Sequence, residues 1–193
     1  MKKIPTLFVR DENDRRYVTE EVTPGCEWVL AGEGVATRKY DGTCVMFDGE
    51  FWYARGEVKK GKSKPPNFIE INYDPITEKR MGWMPIAGSS FYIFFREAVV
   101  RWMSDPGILD RTGTYELCGP KINKNPERFN AHYLIKHNLA DQFVRESPTR
   151  AITFDMIEDL IVRNNILNNM EGIVWHHPDG RMAKLKARDF QPR

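Results

Sequence analysis

Lys39-Tyr40-Asp41-Gly42-Thr43-Cys44-Val45-Met46-Phe47-Asp48-Gly49-Glu50-Phe51-Trp52-Tyr53-Ala54-Arg55 is the stretch on which the reading of the chain turns. Two β-prone runs, Thr43 to Phe47 and Glu50 to Arg55, flank Asp48-Gly49, a two-residue hairpin signal. With those two residues as the turn, Phe47 pairs with Glu50 and Gly42 lies opposite Arg55. The hairpin then returns a guanidinium to the side of Lys39-Tyr40-Asp41-Gly42. There Arg55 either binds phosphate, since it stays charged and bonds in a bidentate manner, or ends a strand as an exposed cation. The two readings weigh equally. Lys39 by itself reads as a solvated lysine in an exposed turn.

A second hairpin closes the chain. Glu171-Gly172-Ile173-Val174-Trp175 and Met182-Ala183-Lys184-Leu185-Lys186 flank His177-Pro178-Asp179-Gly180. Period-two alternation puts Lys184 and Lys186 on one face. With Asp179-Gly180 as a two-residue turn, Ile173 lies opposite Lys186 and Trp175 opposite Lys184, and both lysines share the face of Glu171. A three-residue loop shifts the register by one and sends them to the other face. A functional role for the pair requires the first arrangement, and the alternative is a surface hairpin with two solvated lysines.

Between the hairpins, Val58 to Gly82 is polar and turn-rich, with Pro65-Pro66 and Asp74-Pro75, and reads as a surface excursion. Ser90 to Phe95 reads as a strand and Arg96 to Met103 as a short helix. Thr114-Tyr115-Glu116-Leu117-Cys118 is a β-prone run with one acid. Glu116 either faces solvent or accepts hydrogen bonds from a sugar hydroxyl. Asn125-Pro126-Glu127 has the order of a helix start, yet His132 to Ile135 suits a strand, and both stay open. The clearest helix runs from Thr153 to about Asn168, capped by Thr153, with Phe154, Ile157, Leu160 and Ile161 as its packing stripe.

The 193 residues suffice for one domain with a real core. No repeat or linker divides them, so a single domain over residues 1–193 is expected. With 41 % hydrophobic and 29 % charged residues the chain should fold. No apolar stretch is long enough to span a bilayer, no signal peptide is expected at the N-terminus, and no membrane partner is expected. Three scattered cysteines without CxxC spacing argue against a disulfide framework or zinc site and for a cytoplasmic setting. Net charge is only +2, but basic runs at Lys59/Lys60/Lys62/Lys64, Lys121/Lys124/Arg128 and Lys184/Lys186/Arg188 suggest a phosphate-rich partner.

Taken in order, Lys39-x-Asp41-Gly42, Arg55, Glu116, Glu171-Gly172-Ile173-Val174 and Lys184-Leu185-Lys186 resemble the covalent nucleotidyltransferase superfamily of polynucleotide ligases and mRNA capping enzymes. Lys39-Tyr40-Asp41-Gly42-Thr43-Cys44, Glu116-Leu117-Cys118-Gly119 with Ile122-Asn123-Lys124-Asn125-Pro126, and Glu171 to His176 are similar to the stand-alone ATP-dependent 5′–3′ RNA ligases, which include a family with vertebrate members. That resemblance implies an α+β nucleotidyltransferase (adenylation) domain of antiparallel sheets packed with helices. It implies a ligase for RNA repair that joins 5′-phosphate and 3′-hydroxyl ends through a lysyl-adenylate and an RNA-adenylate, using ATP with Mg²⁺ or Mn²⁺. By the same resemblance Lys39 is the nucleophile, and Arg55, Glu116, Glu171, Lys184 and Lys186 bind the nucleotide. Glu116 falls on the ribose, and Asp41 and Glu171 are the carboxylates for the metal. Phe154 and Phe129 are candidates to stack on adenine. Only seven residues follow Lys186, so the OB domain of DNA ligases and capping enzymes is not expected. The alternatives are a DNA ligase, a GTP-dependent capping-type nucleotidyltransferase, or a non-catalytic module that binds RNA ends.

Overall fold

The computed structural model describes residues 3–104, 111–143 and 152–191. In chain order its elements are β1 (Phe8–Arg10), β2 (Val18–Val22), α1 (Glu27–Leu30), β3 (Val35–Lys39), β4 (Thr43–Phe47), β5 (Trp52–Val58), β6 (Ile69–Asp74) and β7 (Lys79–Pro85). They continue as α2 (Tyr92–Met103), β8 (Gly113–Cys118), β9 (Tyr133–Lys136), β10 (Gln142–Phe143), α3 (Phe154–Asn168), β11 (Gly172–His176) and β12 (Met182–Lys186). The protein is α+β, and every strand-to-strand pairing within its sheets is antiparallel. Among the described residues no helix is long and apolar enough to cross a membrane.

The described residues form two compact units, one within Asp41–His137 and the other within Ile4–Tyr40 and Asn138–Arg193. In the first, six strands run in the order β6-β7-β5-β4-β8-β9. One face of this sheet presents Val45, Ala54, Tyr115 and Leu117 to Phe95, Ala98 and Trp102 of α2. Trp52 packs among Phe47, Phe95, Trp102 and Tyr115, with ring centroids 5.0–5.3 Å apart. In the second unit, the order is β10-β3-β11-β12, beside a β1-β2 ribbon. Ile173, Trp175, Ala183 and Leu185 face Ile157 and Ile161 of α3 and the apolar residues Leu7, Phe8, Trp28 and Val29.

Helix α3 begins and ends where its residues dictate. Thr153 accepts a hydrogen bond from Met156 N, and Asn169 takes the left-handed conformation that closes the last turn. Two other segments depart from expectation, and a third settles a reading left open. The Ser90–Phe95 run is not a strand: Phe95, Ala98 and Trp102 recur at helical spacing, and Tyr92–Met103 winds as one helix against the sheet. The Val58–Gly82 excursion contains β6 and most of β7. Their polarity hid them, because Glu70 is bonded by both Lys64 and Arg80 at 2.8 Å. Of the two readings open from Asn125-Pro126 onward, the strand is the one the fold takes. Lys121, Asn123, Lys124, Asn125 and Arg128 all have positive φ, which an α-helix cannot absorb, and the chain instead turns back into β9.

Candidate functional site

In the second unit, β3, β11 and β12 lie side by side. Lys39 stands opposite Gly172, and Gly172 opposite Lys186; along the same strands Thr37, Val174 and Lys184 line up likewise. Directly opposite residues share a face, so Lys39, Lys184 and Lys186 occupy one face. The alternate residues Ile173, Trp175, Ala183 and Leu185 turn to the core. Gly172 is required by the closeness of β12: a Cβ there would meet Leu185 O at 2.1 Å and Lys186 Cα at 2.7 Å. Glu171 precedes this glycine. Its Oε2 accepts a hydrogen bond from Lys39 Nζ, and its Oε1 accepts one from Lys186 Nζ at 2.5 Å.

The side chains of Lys39, Glu171 and Lys186 are only 21 %, 13 % and 17 % exposed. Burial pushes the Glu171 carboxyl up, but the charge of Lys39 and the hydrogen bonds from Lys186 and Lys39 outweigh it. Its pKa ends below the usual carboxylate value. The result is a carboxylate held between two ammonium groups on a face that carries a third lysine.

This arrangement comes from the other register. Trp175 is not opposite Lys184, and Ile173 is not opposite Lys186. Asp179 accepts hydrogen bonds from Arg181 N (2.9 Å) and Arg181 Nε (2.7 Å), while His177 N donates to Arg181 O at 2.9 Å. The loop therefore has three residues, Pro178 to Gly180. Gly172 rather than Glu171 takes the place in the lysine row, and Glu171 reaches in from just before the strand. The expected requirement for the two-residue turn is thus overturned, while the contact it was meant to deliver is made by another route.

Tyr40 directly follows β3. Its hydroxyl donates to Asp141 Oδ2 at 2.7 Å, and the Arg38 guanidinium lies 4.9 Å from its ring centroid. Thr37 Oγ1 donates to Val174 O at 3.1 Å and lies 3.1 Å from His176 Nε2.

In the first unit, the hairpin after Gly42 is two residues out of the expected register. Phe47 pairs with Trp52, not Glu50, because Asp48 Oδ1 accepts from both Glu50 N (2.9 Å) and Phe51 N (2.7 Å). That carboxylate moves the turn one residue later. Arg55 consequently stands beside Cys44, whose thiol feels its charge, rather than opposite Gly42. Cys44 is opposite Glu116 on its other side. His137 Nε2 donates to Glu116 Oε2 at 3.0 Å, and His137 Nδ1 lies 2.8 Å from Thr114 Oγ1. The sheet face away from the core thus carries a polar row: Arg55, Cys44, Glu116, His137.

Glu116 Oε1 accepts from Gly42 N at 3.1 Å. Gly42 owes its identity to β8, since a Cβ would fall 2.2 Å from Leu117 O and 2.7 Å from Cys118 Sγ. Asp41 and Gly42 are held further by the loop after β8. Asn123 Nδ2 donates to Asp41 Oδ1 (3.1 Å) and Gly42 O (2.6 Å), and Asp41 N donates to Glu127 Oε1 (2.8 Å).

Burial, then the Glu116 charge, push the Cys44 thiol up to about 12 against the opposing pull of Arg55. Cys44, Glu116 and His137 bring one ligand-type atom each within 4.8 Å of one another. A metal ion there would face the Arg55 guanidinium and would have to break the His137–Glu116 hydrogen bond. The group is better described as a polar row in which His137 and Glu116 are hydrogen-bonded. Phe154 packs edge-on against Phe8 (4.9 Å) and Phe190 (5.6 Å) within the apolar core, while Phe129 lies 5.3 Å from Tyr133.

Of the expected site residues, the fold gathers Lys39, Glu171, Lys184 and Lys186 on one sheet, and Arg55 and Glu116 on the other with Asp41 nearby through Gly42. The anchoring roles of Asn123, Glu127 and Thr37 were not legible in the sequence, although Asn123 stands in the 122–126 stretch that carries the resemblance. They depend on contacts across at least 81 residues of chain, the separation of Asn123 from Gly42.

Fold and site together define an α+β protein with a lysine-rich sheet face built around one carboxylate. The chain is 26 % identical over 170 residues to RNA ligase 1 of Rattus norvegicus and, equally, to RNA ligase 1 of Mus musculus. Each match takes in 70 % of this chain and 46 % of the relative, so the chain spans about half the length of the curated relatives it matches. No family model matches the chain.

Proposed function

We propose that the protein is an ATP-dependent RNA ligase, in which the two units act as one nucleotidyltransferase domain and Lys39 is the nucleophile. The observation that carries this reading is the Glu171 carboxylate bonded to both Lys39 and Lys186 on a face shared with Lys184. The likeness to proteins named RNA ligase 1 gives the reading its substrate class. The free thiols of Cys26, Cys44 and Cys118 support a cytoplasmic setting.

An amine attacks phosphorus only through a free electron pair. In the resting arrangement the Lys39 ammonium is engaged by Glu171. When ATP binds, its phosphates compete for the cations of this face, and Lys186 passes from the carboxylate to phosphate oxygens, where Lys184 of the same face joins it. Lys39 then loses its proton to solvent water. Its Nζ forms a bond to the α-phosphorus while the bond to the pyrophosphate oxygen breaks. A 5′-phosphate oxygen of RNA next displaces the lysine from AMP, and the 3′-hydroxyl of the other end displaces AMP from the RNA. In each step the cations stabilise charge on the phosphoryl oxygens. Glu116, braced by Gly42 N and His137, is the acceptor for a ribose hydroxyl, and Arg55 supplies a further cation for phosphate.

Glu171 and Asp41 offer hard oxygen donors that suit Mg²⁺ or Mn²⁺. Such an ion would add positive charge against the phosphate oxygens.

Incubation with α-labelled ATP or GTP and a divalent ion tests the reading. Label from ATP that survives denaturation is expected for the wild type and should vanish in Lys39→Ala. The adenylate should then pass to 5′-phosphorylated RNA and yield a sealed product with a 3′-hydroxyl end. Label from GTP alone would point to a capping-type enzyme, and transfer confined to DNA to a DNA ligase. No label from either nucleotide would leave an RNA-end-binding module.

A further inference from the structure

The loop from Lys121 to Arg128 has an unusual backbone. Lys121, Asn123, Lys124, Asn125 and Arg128 have φ between 46° and 69°, a conformation that side-chain-bearing residues seldom adopt. Such a run persists only where surrounding contacts over-determine it. Those contacts are visible. Ile122 is buried in the core of the first unit. Asn125 closes a ring with Phe129, donating through Nδ2 to Phe129 O (2.9 Å) and accepting from Phe129 N (3.0 Å). His132 beyond the loop is anchored by Glu97 and Pro120 O.

What this braced loop grips is the link behind the proposed nucleophile. Asn123 bonds both the Asp41 carboxylate and Gly42 O, and Glu127 takes Asp41 N. With Glu116 on Gly42 N, the peptide groups of Asp41–Gly42 are held by three side chains. Only Tyr40 separates this clasp from Lys39.

We propose that Asn123 and Glu127 are positioning residues, fixing the Asp41–Gly42 link so that Lys39 is presented in one direction to the α-phosphorus. The proposal rests on the nucleotidyl-transfer reading. It assigns the strained loop to orienting the nucleophile, because Asn123 and Glu127 both bond the Asp41–Gly42 link, Asn123 through Gly42 O and the Asp41 carboxylate and Glu127 through Asp41 N. Small errors in the placement of a reacting group can slow a reaction by about 10²-fold.

Single-turnover formation of the lysyl-adenylate is the test, measured on the full chain with α-labelled ATP alongside thermal melts. Asn123→Ala and Glu127→Ala should slow the step at saturating ATP by on the order of 10- to 100-fold. The ATP concentration giving half-maximal rate should stay within about twofold, as expected for lost orientation rather than lost binding. Glu127→Gln keeps an oxygen acceptor for Asp41 N and should restore most of the rate. A variant that labels at the wild-type rate, a loss that tracks the fall in melting temperature, or Glu127→Gln no better than Glu127→Ala overturns the proposal. A wild type that takes no label from ATP fails the underlying reading, and the positioning role falls with it. Labelling by the wild type with no effect of these substitutions removes the positioning role alone.

Discussion

Both sheets turn a polar row away from their cores, but the rows are built differently. On the four-stranded sheet the charges converge: a carboxylate with two lysines bonded to it and a third on the same face, spaced by a glycine. On the six-stranded sheet the polar groups run in single file, with Arg55 on Cys44, Cys44 opposite Glu116, and Glu116 on His137. The first arrangement is an electrostatic device, whose parts are strained or exposed if one is removed. The second is a file of neighbouring polar groups, in which Glu116 and His137 share one hydrogen bond, able to lose a member and still hold its neighbours.

The largest break should come at Glu171. In Glu171→Ala, two lysines with little exposure face one another without their shared counter-charge. Removing one partner of a buried pair costs about 3–5 kcal/mol, and that loss should appear in urea unfolding followed by circular dichroism. Lysyl-adenylate formation should fall by about 10²- to 10³-fold, the scale associated with losing a preorganised electrostatic contact. Glu171→Gln should recover part of the stability, since its amide oxygen can still accept from one lysine, but little of the rate. Equal rates for Glu171→Gln and the wild type would show that charge is not what the first row contributes.

A smaller and more selective effect is expected at Glu116. Its loss should raise the ATP concentration for half-maximal labelling by about tenfold, in keeping with one hydrogen bond to a charged acceptor. The useful comparison is with 2′-deoxy-ATP and 3′-deoxy-ATP. If Glu116 holds a ribose hydroxyl, Glu116→Ala should abolish the wild-type preference for ATP over one of them. A preference that survives intact would remove the sugar from the second row.

These two rows were unequally legible in the sequence. The residue types and their order were plain, because a lysine before Asp-Gly, a Glu-Gly before an apolar strand and a Lys-x-Lys strand are local patterns. The helix α3 was equally plain, since Thr153 and its apolar stripe are local too. Registers were not. Asp48 and Asp179 each use a side chain to shape a turn, moving one hairpin by two residues and the other by one. A turn signal names the corner but not which residue's carboxylate will claim its amides. Polar strands such as β6 and β7 escaped for a related reason, as their ion pairs exist only once the strands are adjacent. The clasp of Asn123 and Glu127 on Asp41–Gly42 lies further out of reach, because no local pattern announces a contact formed across more than 80 residues.

The gentlest test bears on Cys44, the member of the second row that the proposed chemistry leaves unused. Burial, with the Glu116 carboxylate beside it, holds its thiol neutral up to about pH 12, whereas an unfolded cysteine ionises near its ordinary value of 9.0. The folded pKa is raised, so any stability tied to this proton is present below that ordinary value and declines as pH rises above it. Only the thiolate alkylates readily. Iodoacetamide at pH 8 should therefore modify Cys44 far more slowly in the native protein than in urea, as read by peptide mass spectrometry, and the native rate should still be climbing at pH 10. Rapid native alkylation at pH 8 would mean that Arg55 governs the thiol more strongly than burial does. The row would then be an electrostatic device like the first, and Cys44→Ser, expected to leave adenylation within about twofold, should instead disturb it.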